Sequence, residues 1–131
     1  MSNKLLVWSR FKKRQTLDIV TLDRYLTEWM PALKDRVGVI KIDVEGNELS
    51  VVQGGNNFFK TVRPRYVMAE CADGMMTLAT GTVARDFFKM MHFLGYTVHR
   101  GSFDGELVPA TAFSSFVEPG IVNYWFALQD A

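Results

Sequence analysis

The sequence has few cysteines and histidines, the residues that stabilise small proteins through disulfides and metal sites. Cys71 is its one cysteine, so an intramolecular disulfide is excluded and a reducing compartment suits the chain. We expect this cysteine to be a buried small hydrophobic residue. The two histidines, His92 and His99, have no cysteine, histidine or acid at metal-ligand spacing, so we expect no zinc site.

Long apolar runs are also missing. No stretch approaches the ~20 apolar residues of a membrane span. The run Leu5–Trp8 is too short for a signal-peptide core of roughly 7–15 residues. These absences favour a cytoplasmic protein that does not insert into a membrane.

The net charge is small but unevenly distributed. It is +1 over 131 residues, with +5 in residues 1–15 and −4 in the remainder. A basic segment of this kind is able to contact phosphates or anionic lipid, but a solvated terminal segment is the favoured interpretation, because terminal residues are usually loosely held. We expect neither a nucleic-acid nor a membrane partner. The predicted organisation is a basic N-terminal segment, residues 1–16, followed by one domain, residues 17–131.

The domain has enough apolar material for a core and a pattern of alternating strands and helices. Apolar residues make up 48% of the chain, including ten Phe and three Trp. This order predicts an α/β domain with a mostly parallel sheet and a late antiparallel strand pair. Strands are predicted at 17–21, 38–44, 65–71, 96–99, 106–108 and 121–128, helices at 22–29, 47–53 and 82–94, and a loop at 72–81.

The most informative stretch is Val39–Gly46, which alternates apolar and charged residues. In a strand, Lys41, Asp43 and Glu45 would share one face, and the two carboxylates would lie roughly 7 Å apart. Such charges are costly to bury unless they are paired or functional. Two structural alternatives remain open, a solvated strand face and a pairing of Lys41 with Asp43.

A third acid extends this pattern to the next predicted strand. Glu70 lies near the end of the strand at 65–71, as Asp43 and Glu45 lie near the end of the strand at 38–44. Ligands of parallel sheets bind beyond the carboxyl ends of the strands. If the two strands are parallel neighbours, we expect the three carboxylates to gather at one edge of the sheet.

Four ordered blocks resemble the FkbM family of S-adenosylmethionine-dependent methyltransferases. They are Thr21-Leu22-Asp23, Ile40-Lys41-Ile42-Asp43-Val44-Glu45-Gly46-Asn47-Glu48-Leu49, Gln53-Gly54-Gly55 and Arg63-Pro64-Arg65-Tyr66-Val67-Met68-Ala69-Glu70. The resemblance covers residues 17–71 and implies a Rossmann-like sheet with S-adenosylmethionine as cofactor. It also implies catalytic roles for Lys41, Asp43 and Glu45, a cofactor-binding position for Asp23 near the adenine, and a substrate-binding position for Glu70.

The chain departs from the family at the glycine-rich turn that holds the methionine and ribose part of the cofactor. A close backbone approach of this kind needs glycines, and the sequence has no G-x-G. We therefore expect a partial methyltransferase-like domain, incomplete at the N-terminal side of its sheet.

Two functional interpretations follow. The first is an O-methyltransferase, or a truncated or inactive remnant of one, that acts on a hydroxyl of a sugar or natural product. Asp43 or Glu45 would then be a general base for the hydroxyl, or would hold a divalent cation that promotes its deprotonation. The second is a non-catalytic interaction module that forms a homo-oligomer or complements a partner subunit, since an incomplete sheet exposes an unpaired edge.

Overall fold

A computed structural model describes residues 15–130 of the chain. The helices and strands, in chain order, are α1 (Leu22–Arg24), β1 (Val39–Ile42), α2 (Glu48–Gly54), α3 (Asn56–Thr61), β2 (Tyr66–Cys71), α4 (Asp73–Thr80), α5 (Ala84–Phe93), β3 (Tyr96–Arg100), β4 (Glu106–Val108) and β5 (Val122–Leu128). Helix α1 continues into a π-helical turn at Tyr25–Trp29 and a 3₁₀ turn at Pro31–Asp35, and a second 3₁₀ turn covers Ala110–Ser115.

Within these residues the strands form one five-stranded sheet in the order β1-β2-β5-β3-β4. β1 and β2 are parallel, whereas β2–β5, β5–β3 and β3–β4 are antiparallel. The α/β class and the late antiparallel pair are confirmed, but the prediction of a mostly parallel sheet is wrong. β1, β2 and β3 do run in the same direction; the last strand inserts between β2 and β3 and is antiparallel to both.

One face of the sheet carries the core. Alternate residues of the strands, including Val67, Tyr96 and Phe126, are fully buried on this face. Helices α2 and α5 pack there, each in contact with the sheet and with the other. The opposite face carries residues such as Met68 and Trp125, which are only half-buried. The sheet is therefore covered by helices on one side, and the burial of β2 alternates with period two.

Cys71 lies at the end of β2 on the buried face and has no exposed surface, as predicted. Burial raises the pKa of its thiol, and the nearby carboxylate of Glu48 raises it further. Because the thiolate is the nucleophilic form of cysteine, this thiol is unreactive.

Two segments differ from the elements that the sequence predicts. Residues 17–21 are not a strand: they pair with no other strand of the described residues, and the Ile19 side chain is 96% exposed. Residues 73–80 form helix α4 where a loop is predicted, and Gly81 ends this helix in the left-handed conformation. Residues 17–21 are exposed apart from a half-buried Val20, so the β-branched run has no sheet to join, whereas α4 packs through Met75 against Gly46 and buries Met76. Most of the predicted basic segment lies outside the described residues. No helix within residues 15–130 has the length and apolar character needed to cross a membrane.

A buried carboxylate ties the loop before β5 to the rest of the fold. The Glu118 side chain is 3% exposed and accepts hydrogen bonds from the Tyr124 hydroxyl, the Gly120 amide (3.1 Å) and the Arg100 guanidinium (3.4 Å). The Glu118 amide donates to Asp73 Oδ2 at 2.9 Å. Burial alone would raise the pKa of the Glu118 carboxyl, but these hydrogen bonds outweigh it and lower the pKa below its ordinary value of 4.5.

We predict that Tyr124→Phe lowers the free energy of unfolding by about 1.5–3 kcal/mol, because it removes a hydrogen bond to a buried charge. A lowered folded-state pKa contributes stability that is present above the unfolded value of 4.5 and is lost as the pH falls through the folded value. The variant should therefore lose less stability than the wild type on acidification through this range. Urea unfolding measured from neutral to acidic pH tests this, and parallel pH profiles would contradict it.

Candidate functional site

The charged residues of the motif lie at the carboxyl end of β1. The strand ends at Ile42, so Asp43 is the first residue beyond it. Lys41 Nζ lies 3.4 Å from Asp43 Oδ2, and the two side chains are 61% and 40% exposed. The pairing of Lys41 with Asp43, which the sequence left open, is therefore present. In this exposed setting it contributes little to stability.

The parallel register brings two of the three predicted carboxylates to the same end of the sheet. Ile42 of β1 is paired with Ala69 of β2, so the next residues in register are Asp43 and Glu70. Both lie on the sheet face opposite the core, and Glu70 is half-buried there. Glu45 does not continue this face, because the chain turns before it. The strand-like alternation predicted for Lys41, Asp43 and Glu45 is wrong at its last member.

The turn after β1 has an unusual backbone. Glu45 has a φ of 53° and Gly46 a φ of 96°, so two successive residues are left-handed. A non-glycine residue there costs roughly 1–2 kcal/mol. A Cβ on Gly46 would lie 2.5 Å from the carbonyl oxygen of Met75, in helix α4. Gly46 is therefore required both for its conformation and for the close approach of α4.

Glu48, the first residue of α2, is buried beneath this turn. Its side chain is 2% exposed, and its Oε1 accepts hydrogen bonds from the amides of Val44 (3.4 Å) and Gly46 (3.2 Å). Its Oε2 is buried without a partner among the described residues. In the sequence, this residue is only an acid in the first turn of the helix predicted at 47–53. The one local signal for this contact is the spacing: the glutamate follows the glycine of the turn by two residues, so its side chain can fold back onto the turn.

The Asp23 side chain, which the resemblance places near the adenine, binds backbone amides of a distant segment. Asp23 Oδ2 accepts a hydrogen bond from the Asn57 amide at 3.1 Å, and Oδ1 accepts one from the Phe58 amide at 2.7 Å. These amides are at the start of helix α3, so the carboxylate serves that helix as an N-terminal cap from a distant part of the chain. Both oxygens are engaged, and the role of Asp23 in cofactor binding stays a prediction.

Two adjoining cavities flank the end of β1. The larger has a volume of about 630 Å³ and includes Thr21, Asn47 and Ser50 in its lining. The smaller, of about 440 Å³, is lined by the five consecutive residues 40–44, Asp43 among them. Leu22, Tyr25, Val44 and Val51 line both cavities. Volumes of this size suit a small-molecule ligand.

The lining of the larger cavity fits part of the cofactor that the resemblance implies. The Tyr25 ring and the apolar side chains suit a purine, and Asn47 and Ser50 add polar groups at the rim. The described residues contain no glycine-rich turn that would bring backbone amides to the methionine end. Nor do they bring three His, Cys, Asp or Glu side chains into a group that could hold a metal ion.

Comparison with known proteins gives one match. The family model described as the methyltransferase FkbM domain matches residues 2–98, about three quarters of the chain. No curated protein and no solved structure matches the chain. The matched range includes the strand, turn and helix described above, together with β2 and the start of β3.

We predict that Gly46→Ala lowers the free energy of unfolding by roughly 3 kcal/mol, because a Cβ would clash with the Met75 carbonyl in a left-handed turn. Gly81→Ala is the matched control: Gly81 has a φ of 75°, but a Cβ there would have open space around it, with nothing within 4 Å. It should cost only about 1–2 kcal/mol. Urea unfolding of the two variants compares them, and equal losses would contradict the close approach of α4.

Proposed function

The chain belongs to the FkbM methyltransferase family, and we propose from this that it transfers a methyl group from S-adenosylmethionine to a hydroxyl oxygen of a small molecule. The family match over residues 2–98 is the observation that carries the proposal. The acceptor class we propose is a hydroxyl on a sugar or natural product. The 440 Å³ cavity beside Asp43 supports a small acceptor of this kind.

Asp43 is our candidate for the general base. The bound cofactor supplies an electrophilic methyl group on a sulfonium centre. What the chain must add is alignment of the acceptor and removal of its hydroxyl proton. The Asp43 carboxylate lines the smaller cavity and is 40% exposed, so an acceptor hydroxyl can reach it.

Three further side chains near Asp43 are candidates for the proposed site, and of these Lys41 lines the 440 Å³ cavity. Lys41, 3.4 Å from Asp43, orients the carboxylate through their ion pair. Glu70 is next to Asp43 in the register of the sheet, which supports a role in binding the acceptor. Glu45, exposed on the turn, is the alternative base. Asp23 takes no part in the proton transfer, because its two oxygens already bind backbone amides.

We predict that Asp43→Asn lowers kcat for methyl transfer by about 100- to 10,000-fold, because the amide cannot accept the hydroxyl proton. Formation of S-adenosylhomocysteine from S-adenosylmethionine is measured with a panel of monosaccharide acceptors, and calorimetric titration measures the affinity for S-adenosylhomocysteine. The affinity should be unchanged in the variant.

Asp104→Asn is the control, since it removes an exposed aspartate on the turn between β3 and β4. It should leave kcat at the wild-type value. A wild-type chain that gives no binding heat and no thermal shift with S-adenosylhomocysteine would refute the proposed activity.

A second function, self-association, is favoured by the outer edge of β1, which pairs with no strand of residues 15–130. β1 is the terminal strand of the sheet within the described residues. The Gly38 carbonyl accepts a hydrogen bond from the Tyr66 amide, so by alternation Val39 and Lys41 direct their backbone groups away from β2. Residues 40–44 line the 440 Å³ cavity as an unbroken run, which places the cavity along this edge. As the alternative to an acceptor in this cavity, an extended segment of a second copy would add a strand there.

We predict that the wild-type chain is a dimer in light scattering and that Lys41→Pro makes it a monomer. Proline removes the outward amide of residue 41 and leaves the amides that bind β2 intact. Lys41→Ala is the control, because it removes the same side chain but keeps the amide, and it should stay dimeric. A monomeric wild type, or identical masses for the two variants, would exclude association through this edge.

A further inference from the structure

The turn between β1 and α2 carries two candidate site residues and is held by a third acid. Asp43 and Glu45 are exposed, whereas Glu48 is buried below them. Glu48 Oε1 binds two amides, those of Val44 and Gly46. The two bonded amides therefore alternate along the chain with the two exposed carboxylate residues.

This alternation links Glu48 to the direction of both exposed side chains. The Val44 amide belongs to the peptide plane that follows Asp43, and the Gly46 amide belongs to the plane that follows Glu45. Fixing an amide fixes its peptide plane, and so fixes ψ of the residue before it. One buried oxygen thus sets the backbone at Asp43 and at Glu45 together.

The backbone of the turn needs such a restraint. Glu45 has a φ of 53°, a conformation that non-glycine residues keep only where their surroundings impose it. Gly46, at a φ of 96°, packs against the Met75 carbonyl on its other side. The turn is held between α4 and the Glu48 carboxylate.

A glutamate that only begins a helix has no need for burial. Its carboxylate would interact equally well with the first turn of the helix from solvent. Here Oε2 is also buried, and it has no partner among the described residues. Buried polar atoms are nearly always hydrogen-bonded, so an exception beneath a turn that lines both cavities points to a role in the site.

We propose that Glu48 is the positioning residue of the methyl-acceptor site, which holds the Asp43 and Glu45 carboxylates in place through the two peptide planes. The effect on catalysis rests on the proposed function. The effect of Glu48 on the backbone of the turn does not depend on any activity. Glu48 touches neither acceptor nor cofactor in this role.

Two variants of Glu48 distinguish a role for the length of its side chain from a role for its negative charge. Glu48→Gln keeps the length of the side chain and an oxygen that accepts both amides. Glu48→Asp keeps the charge but is one methylene too short to reach them. A positioning role predicts that Gln rescues the site and that Asp does not, whereas a role for the negative charge predicts the reverse.

The first measurement is amide hydrogen exchange by NMR. In Glu48→Asp the Val44 and Gly46 amides should exchange at least about tenfold faster, because their acceptor is lost. The Val67 amide, in the core strand β2, should be unchanged and controls for global unfolding. The carboxyl ¹³C resonances of Asp43 and Glu45 should also move in Glu48→Asp, and all of these values should stay near wild type in Glu48→Gln. The same behaviour in both variants would overturn the proposal.

The second measurement is methyl transfer from S-adenosylmethionine to the monosaccharide panel. Glu48→Asp should lower kcat by about ten- to a hundredfold with little change in the KM for S-adenosylmethionine, since misplacing a base affects the chemical step. Glu48→Gln should keep most of kcat. If the wild type neither binds S-adenosylhomocysteine nor turns over, the proposed function fails, while the exchange data still decide the positioning role. An active Glu48→Asp with wild-type kcat would refute that role.

Discussion

The parallel pairing of β1 with β2 is the contact on which the rest of the candidate site depends. It is the only parallel pair among the described strands, and it requires the crossover through α2 and α3. That crossover forces the chain to leave β1 through a sharp turn and to bury the start of α2 against the sheet. The exposed acids at the strand end and the buried acid below them are consequences of this one connection.

The acids around this connection divide into two groups by what their oxygens bind. Asp23, Glu48 and Glu118 accept hydrogen bonds from backbone amides and hold a helix start, a turn and a loop. Asp43 and Glu70 bind no backbone amide within the described residues and lie on the open face at the end of the sheet. The carboxylates of the first group stabilise the fold, because backbone amides replace the water molecules that would otherwise bind them. The second group is left available to a ligand.

The sequence predicted the local elements better than their arrangement. Alternation located β1 and β2, and the period of α5 located that helix, because each pattern reflects burial against one core. The apolar run of β5 did not predict its place between β2 and β3, because a central strand has the same hydrophobic pattern whichever strands are its neighbours. The inference that two parallel neighbouring strands end at the same edge placed Asp43 and Glu70 at one end of the sheet, but it failed for Glu45, where the chain turns. The fold-back of Glu48 and the capping by Asp23 depend on three-dimensional contacts that no spacing rule encodes.

The burial of Cys71 has a practical consequence for spectroscopy. The chain has no other cysteine, and this one is inaccessible, with a raised thiol pKa. A cysteine introduced at Ser50, an exposed position in the lining of the larger cavity, would therefore be the single site that a thiol-reactive dye labels in the folded protein. A fluorophore there would report directly on occupancy of the cavity, without any need to remove a native residue.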